Sequence, residues 1–69
     1  MVTIRVNGKD RGSVNWYPGA DVGAMVKAFD GKGDVVNDDN VKSIAVNGQK
    51  AFHFGEEVKD GDCIAITLK

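Results

Sequence analysis

Helical periodicity is confined to one segment of this chain, Asp21-Val22-Gly23-Ala24-Met25-Val26-Lys27-Ala28-Phe29. Spacings of three, four and seven place four apolar side chains on one side of a helix: Val22, Met25, Val26 and Phe29. Asp21 is suited to be the N-cap, because its carboxylate can accept a hydrogen bond from a first-turn amide and faces the positive end of the helix dipole. The glycines at 31 and 33 predict the end of the helix soon after Phe29.

The residues before this helix predict a β-hairpin. Val2, Ile4 and Val6 alternate with polar residues, which is typical of a strand with one buried face. Asn7-Gly8 supplies the positive backbone dihedrals of a tight turn. A return strand is therefore predicted from Lys9 to Tyr17, ended by Pro18-Gly19. Within it, Trp16 is in phase with Val14 and is predicted to lie under the helix, leaving Tyr17 on the other face.

The residues after the helix predict further strands. A polar connection runs from Asp34 to Asn40, interrupted by Val35 and Val36 as a short apolar plug or extended segment. Strand alternation returns at Ile44 and Val46, and Asn47-Gly48 repeats the hairpin turn. Phe52 and Phe54 are predicted to pack inward. After a tight turn at 59–62, the last strand directs Ile64, Ile66 and Leu68 inward and Cys63, Ala65 and Thr67 outward.

The order hairpin, helix, irregular crossover, strand, short segment and last strand is that of a β-grasp, or ubiquitin-like, domain. The predicted fold class is therefore α+β, with a mixed four- to five-stranded sheet packed on one helix in a single domain spanning residues 1–69. In that arrangement the first and last strands lie parallel at the centre of the sheet, so Ile4 and Ile66 should be neighbours on the buried face. The repeated pattern at Ile4–Gly8 and Ile44–Gly48 has two readings, a duplication or two strands ending in the same turn.

Three segments support a resemblance to a family: Pro18–Val22, Ala45–Gly48 and Val58–Ile66. The chain resembles the sulfur-carrier proteins of thiamine and molybdopterin synthesis, and equally the TGS domain attached to threonyl-tRNA synthetase and some GTPases. In the sulfur carriers a flexible tail ends in Gly-Gly, whose carboxylate is adenylated and converted to a thiocarboxylate. This sequence ends at Thr67-Leu68-Lys69, so the resemblance implies the scaffold and carries no catalytic residue to any position here.

Composition excludes several classes of function. Nine Lys and Arg against ten Asp and Glu give a net charge of −1, and the cations are spread singly, which disfavours a nucleic-acid or anionic membrane surface. Cys63 is the only cysteine, so an internal disulfide and a thiolate metal site are excluded. With neither a secretory signal nor a membrane span evident, we expect a cytoplasmic protein without a cofactor.

Few residues are candidates for chemistry. His53 and Cys63 would need to be adjacent to form a catalytic pair, and the plainer reading is a solvent-facing histidine and a small strand side chain. The acidic run at 30–40 offers oxygen ligands to a cation such as calcium, but its spacing differs from an EF-hand loop, and a solvated loop is the plainer reading. Tyr17 is either an anchor for a partner or an ordinary surface residue.

The predicted function is a small non-enzymatic, ubiquitin-like module that binds a protein partner as a monomer. Its candidate contact residues lie on the outward sheet face: Tyr17, Cys63, Ala65 and Thr67. The alternative is a sulfur carrier or protein modifier whose Gly-Gly tail would follow Lys69. A third hypothesis is a module of a larger enzyme, as TGS-like domains are.

Overall fold

The computed structural model describes residues 1–31, 36–37, 39–51 and 53–69. These residues form an α+β fold in which a five-stranded mixed sheet, of order β2-β1-β5-β3-β4, packs on one short helix. The elements in chain order are β1 (Val2–Val6), β2 (Lys9–Val14), α1 (Val22–Phe29), β3 (Val41–Val46), β4 (Gln49–Ala51) and β5 (Cys63–Leu68).

The last strand, β5, lies in the middle of the sheet. It pairs in parallel with β1, placing Ile4 opposite Ile64, and in antiparallel with β3, placing Ile44 opposite Ile66. All four isoleucines are buried, and Ile4 has no exposed surface. The prediction that the two outer segments of the chain lie side by side on one buried face is confirmed.

Helix α1 covers that face. It begins at Val22, and the Asp21 carboxylate accepts a hydrogen bond of 2.7 Å from the Ala24 amide, so the predicted N-cap is confirmed. Met25 is fully buried between helix and sheet. Residues from both layers share one hydrophobic core, whose buried members are Val2, Ile4, Val6, Ala20, Val22, Met25, Val26, Val36, Ile44, Ala51, Val58, Ile64 and Ile66. Helix α1 is the one helix in the described part of the chain, and its eight residues are too few to span a membrane.

Strand β2 ends earlier than its sequence pattern suggests. Val14 pairs with Val2, the first residue of β1, so nothing in β1 remains for Trp16 or Tyr17 to pair with. The register also shifts between Thr3 and Arg5, because β2 is irregular there. The prediction that the strand continues to Tyr17 is therefore wrong.

Trp16 nevertheless packs where its phase with Val14 indicates. Its half-buried ring lies against the core, and its indole Nε1 donates a hydrogen bond of 2.9 Å to the carbonyl oxygen of Val58. The Val58 amide in turn donates to the Ala20 carbonyl at 3.1 Å. Trp16 thus joins the chain entering α1 to the chain that leads into β5.

Both Asn-Gly turns attach to β5, at its opposite ends. Asn7 and Asn47 have positive φ angles of 52° and 53°, which an asparagine followed by glycine adopts readily. The Asn7 side-chain oxygen accepts from the Leu68 amide at 2.9 Å, and the Asn47 side-chain oxygen accepts from the Cys63 amide at 2.9 Å. Each asparagine therefore bonds an amide at one terminus of the central strand, so the repeated sequence pattern has the same structural role at both positions.

The connecting segments are short. Phe54 is half-buried, and its carbonyl accepts a 2.7 Å bond from the Gly23 amide in the first turn of α1. The predicted inward packing of Phe54 is confirmed, whereas Phe52 lies outside the described residues. Val36 is buried in the core, and Val35 lies outside the described residues. The helix ends at Phe29 with Asp30 as C-cap, ahead of Gly31, and the other glycine predicted to end it, Gly33, is not among the described residues.

Candidate functional site

One face of the sheet points away from helix α1. Strand alternation turns Thr3, Arg5, Cys63, Ala65 and Thr67 to this side, since their neighbours Ile4, Ile64 and Ile66 are buried in the core. From β3 and the edge strands, cross-strand pairing adds Ser43, Ala45, Ser13, Asp10 and Lys50. We call these ten residues the open face.

The centre of the open face carries small side chains, and its flanks carry charged ones. Ala65 lies between Arg5 on β1 and Ala45 on β3, and Ala45 is followed by Lys50 on β4. With only methyl groups at the centre, a partner's backbone can approach the sheet closely. The Arg5 guanidinium donates a 3.1 Å bond to the Gly8 carbonyl, which holds this cation beside the β1–β2 turn.

Tyr17 is exposed, with 51% of its surface accessible. It lies in the turn between β2 and α1, where its carbonyl accepts a 3.1 Å bond from the Ala20 amide. The structure therefore does not bring Tyr17 into a strand of the open face together with Cys63, Ala65 and Thr67. Its role as a partner anchor stays a prediction about a separate surface position.

Cys63 begins β5, and its side chain is half-buried. His53 follows β4, and its Nδ1 accepts a 3.1 Å bond from the Gly55 amide, so this ring nitrogen is occupied by a local turn. A general base in a cysteine-histidine pair needs a ring nitrogen directed at the thiol. The local geometry gives His53 a structural partner and supplies no such contact with Cys63.

Side-chain oxygens of the acidic run after the helix accept hydrogen bonds from backbone amides of the same run. The Asp30 carboxylate accepts a 2.7 Å bond from the Val36 amide, and the Asn37 side-chain oxygen accepts from the amides of Asp39 and Asn40. Asp34 and Asp38, also part of the predicted run, lie outside the described residues. Within the part of the chain described, no cluster of three or more histidine, cysteine, aspartate or glutamate residues is placed to hold a metal ion.

A polar network joins the start of β5 to two turns. The Asn47 Nδ2 donates a 2.8 Å bond to Asp62 Oδ1, and the Lys59 amide donates a 2.8 Å bond to Asp62 Oδ2. The Asn47 backbone amide also donates to the Cys63 carbonyl at 2.9 Å. Each carboxylate oxygen of Asp62 thus accepts one hydrogen bond, and the negative charge strengthens both.

These hydrogen bonds set the acidity of Asp62. The backbone amide of Lys59 lowers the pKa of this carboxyl most, followed by the side-chain amide of Asn47, while partial burial opposes them and the Lys59 charge adds to the lowering. The folded protein therefore holds Asp62 ionised at a pH where the unfolded chain has begun to take up its proton. Its contribution to stability is fully present above the ordinary aspartate pKa, and it is lost as the pH falls through the lower folded value.

Asp62→Asn is expected to reduce the free energy of unfolding at neutral pH by about 1 kcal/mol or less, since the site is near the surface. The difference from the unsubstituted protein should shrink as the pH falls through the folded pKa of Asp62, because protonation there removes the same charge. Urea unfolding at a series of pH values measures this. Asp39→Asn, at an exposed position of the acidic loop, is the matched control. A constant difference at every pH would contradict the assignment.

Two concave regions lie near the β3–β4 hairpin. A cleft of about 380 Å³ sits where this hairpin meets the 56–62 loop, and it is lined by Val46, Asn47, Gln49, Lys50, Glu56, Glu57, Lys59 and Asp62. A pocket of about 350 Å³ opens at the edge of the sheet, lined by Val41, Lys42, Ser43, Ile44, Ala51, His53 and Phe54. The first holds cations and carboxylates together, and the second is mostly apolar with Lys42 as its charged side chain, so neither concentrates the charge that would select an ionic ligand.

Sequence reasoning found part of the open face and missed the rest. Alternation along the last strand is sufficient to direct Cys63, Ala65 and Thr67 outward, and the same argument applied to β1 would have included Arg5. Lys50 could not be placed, because its position depends on pairing with Ala45 across β3 and β4. The bonds from Asn7 and Asn47 to β5 were also missed, although each asparagine follows an apolar strand.

Comparison of the chain with protein-family models, with curated proteins and with solved structures gave no match. Any function therefore has to be argued from the sheet, its charges and its turns.

Proposed function

We propose that this chain is a β-grasp, ubiquitin-like module that binds a protein partner through its open face and carries out no chemistry itself. The observation that carries the proposal is the strand order β2-β1-β5-β3-β4 with the helix on one side only. That arrangement presents the three central strands, β1, β5 and β3, as a platform of small side chains.

The composition of the platform is compatible with a reversible protein interface. Large apolar side chains are few at the surface, where Met1 and Tyr17 are the exposed ones among the described residues. A non-obligate interface is about as apolar as the rest of a protein surface, so a face without large apolar side chains can bind a partner while each protein stays soluble alone. Lys50 at the β4 flank favours an acidic group of the partner, while the β1–β2 flank carries both charge signs because Arg5 lies opposite Asp10.

The edge strands of the sheet are poorly suited to binding a partner. Strand β2 is exposed along nearly its whole length and carries Lys9, Asp10 and Arg11, while β4 has only three residues. Charged or short edge strands discourage a further strand from pairing. This favours contact through the open face over addition of a partner strand.

Ala65→Arg is expected to weaken binding of a captured partner about tenfold or more, because a long cation at the centre of the face blocks close approach. Ala28→Arg is the matched control, since it makes the same change at an exposed position on the helix side. Partners captured by the unsubstituted protein are titrated against all three proteins, with backbone amide shifts followed by NMR. Equal affinity for Ala65→Arg and Ala28→Arg, or shifts confined to the helix, would refute the proposal.

The sulfur-carrier alternative draws on the same strand order. Because β5 is central, any chain that follows Lys69 would leave from the middle of one sheet end, between the Asn7 turn and Asn40, whose carbonyl accepts a 2.8 Å bond from the Lys69 amide. A reading frame that continues past Lys69 into Gly-Gly would favour the carrier, and an adenylating enzyme should then activate that terminus. A frame without Gly-Gly favours the binding module.

A further inference from the structure

Asn47 and Gly48 form a sequence with an intrinsic chemical weakness. In an Asn-Gly pair the glycine amide nitrogen can attack the asparagine side-chain carbonyl carbon, since glycine has no side chain to obstruct it. Asparagine is for this reason among the thermolabile residues of proteins. The chain has two such pairs, at Asn7 and Asn47, in turns of nearly the same conformation.

We propose that Asn47 is a site of spontaneous deamidation whose aspartate product loosens the start of β5, whereas the same change at Asn7 is tolerated. The Gly48 nitrogen bonds to the Asn47 Cγ and loses its proton, and ammonia leaves with the side-chain nitrogen. Water then opens the resulting succinimide to aspartate or isoaspartate. The reaction requires no oxidant and no cofactor.

The damage at Asn47 follows from its partner. Its Nδ2 donates to Asp62 Oδ1 over 2.8 Å, and deamidation replaces this donor with a carboxylate oxygen. Two carboxylates then face each other at hydrogen-bond distance, and like charges so close cannot both stay ionised without cost. The Asn47 oxygen that accepts from the Cys63 amide is held by the same side chain, so repulsion from Asp62 also disturbs that 2.9 Å bond.

The surrounding cations neutralise the product only in part. The cleft beside Asn47 and Asp62 is lined by Lys50 and Lys59 and by Glu56 and Glu57. Its cations are thus already outnumbered by carboxylates once Asp62 is included. Deamidation of Asn47 adds one more negative charge to this cleft.

Asn7 has a different setting. Its side-chain oxygen accepts a 2.9 Å hydrogen bond from the Leu68 amide, and the carboxylate of an aspartate would accept this bond equally well. The Arg5 guanidinium is held at the same turn by its bond to the Gly8 carbonyl. A new negative charge at position 7 therefore meets a donor and a cation.

The test uses the aspartate products made by substitution. Asn47→Asp is expected to lower the folding equilibrium constant about tenfold at neutral pH, and Asn7→Asp to lower it less than about threefold. Urea unfolding of both variants and of the unsubstituted protein gives these values. Equal losses at the two positions would overturn the inference.

A double variant separates repulsion from simple disruption of the turn. When Asn47→Asp is combined with Asp62→Asn, the donor and acceptor exchange places. The side-chain amide introduced at position 62 donates to the carboxylate introduced at position 47, and its oxygen still accepts from the Lys59 amide. The double variant is expected to recover most of the stability lost by Asn47→Asp. If it is no more stable than Asn47→Asp alone, charge repulsion is not the cause and the proposal fails.

Ageing of the unsubstituted protein tests the site itself. The protein is incubated for a prolonged period at mildly alkaline pH, and a native urea gradient gel then separates the chains that unfold easily from those that stay folded. Mass spectrometry locates the deamidated positions in each fraction and distinguishes aspartate from isoaspartate. Among chains converted to aspartate, those changed at position 47 should be enriched in the easily unfolded fraction, and those changed at position 7 should be present in the folded one. Absence of any conversion at Asn47, or an equal distribution of the two products, would contradict the proposal.

Discussion

Ile4→Ala is expected to lower the free energy of unfolding by about 2–5 kcal/mol, which is most of the stability that a domain of this size holds. Ile4 has no exposed surface and lies in β1 opposite Ile64 on the central strand. Truncation there removes the apolar burial and leaves a cavity between the sheet and helix α1, which the surrounding chain can fill only in part.

The measurement is urea or thermal unfolding followed by circular dichroism, with an expected fall in Tm of roughly 8–40 °C. Thr3→Ala is the control, because Thr3 is the chain neighbour of Ile4 and faces the open side of the sheet. It should change stability by no more than about 1 kcal/mol. Similar losses for the two variants would mean that the two faces have been assigned the wrong way round.

Trp16→Ala is expected to cost about 2–3 kcal/mol, below the range for a fully buried tryptophan because the ring is only half-buried. The loss combines removal of ring packing against the core with removal of the bond from Nε1 to the Val58 carbonyl. Trp16→Phe keeps most of the packing and removes the bond, so it should cost about 1 kcal/mol. Circular dichroism is again the measurement, since the fluorescent residue is the one replaced.

The neighbouring aromatic residue supplies the control for this series. Tyr17→Ala removes a side chain that is 51% exposed, and we expect a change within about 0.5 kcal/mol. An equal loss for Tyr17→Ala and Trp16→Ala would show that the turn between β2 and α1 is not joined to Val58 through the indole.

Local patterns were sufficient to predict most of the fold. Alternation at Val2, Ile4 and Val6 and at Ile64, Ile66 and Leu68 marks strands with one buried face, and the Asp21 N-cap together with the spacing of Val22, Met25 and Val26 marks the helix. These features depend on neighbours within a few residues. The coarse α+β architecture followed from their order along the chain.

Features that depend on pairing were not predictable in this way. Strand β2 ends at Val14 because β1 has no further residue to pair with, and this requires the register of Val2 against Val14. Strand β4 occupies only Gln49–Ala51, a length too short to show a period. Alternation along the last strand was sufficient to predict Cys63, Ala65 and Thr67 on the open face. Arg5 and Lys50 at its flanks were identified only from the pairing of strands in the structure.

The central position of β5 has a consequence for how the protein is made. A ribosome releases β1, β2 and α1 well before β5 exists, and a lone two-stranded hairpin is at best marginally stable in water. Strands β1 and β3 have no common neighbour until residues 63–68 have emerged, and the pairing of β1 with β5 then joins residues from the two ends of the sequence. Such distant contacts slow folding. The nascent chain therefore completes its sheet only after residues 63–68 have left the ribosome, when the middle strand is inserted between two strands that were made before it.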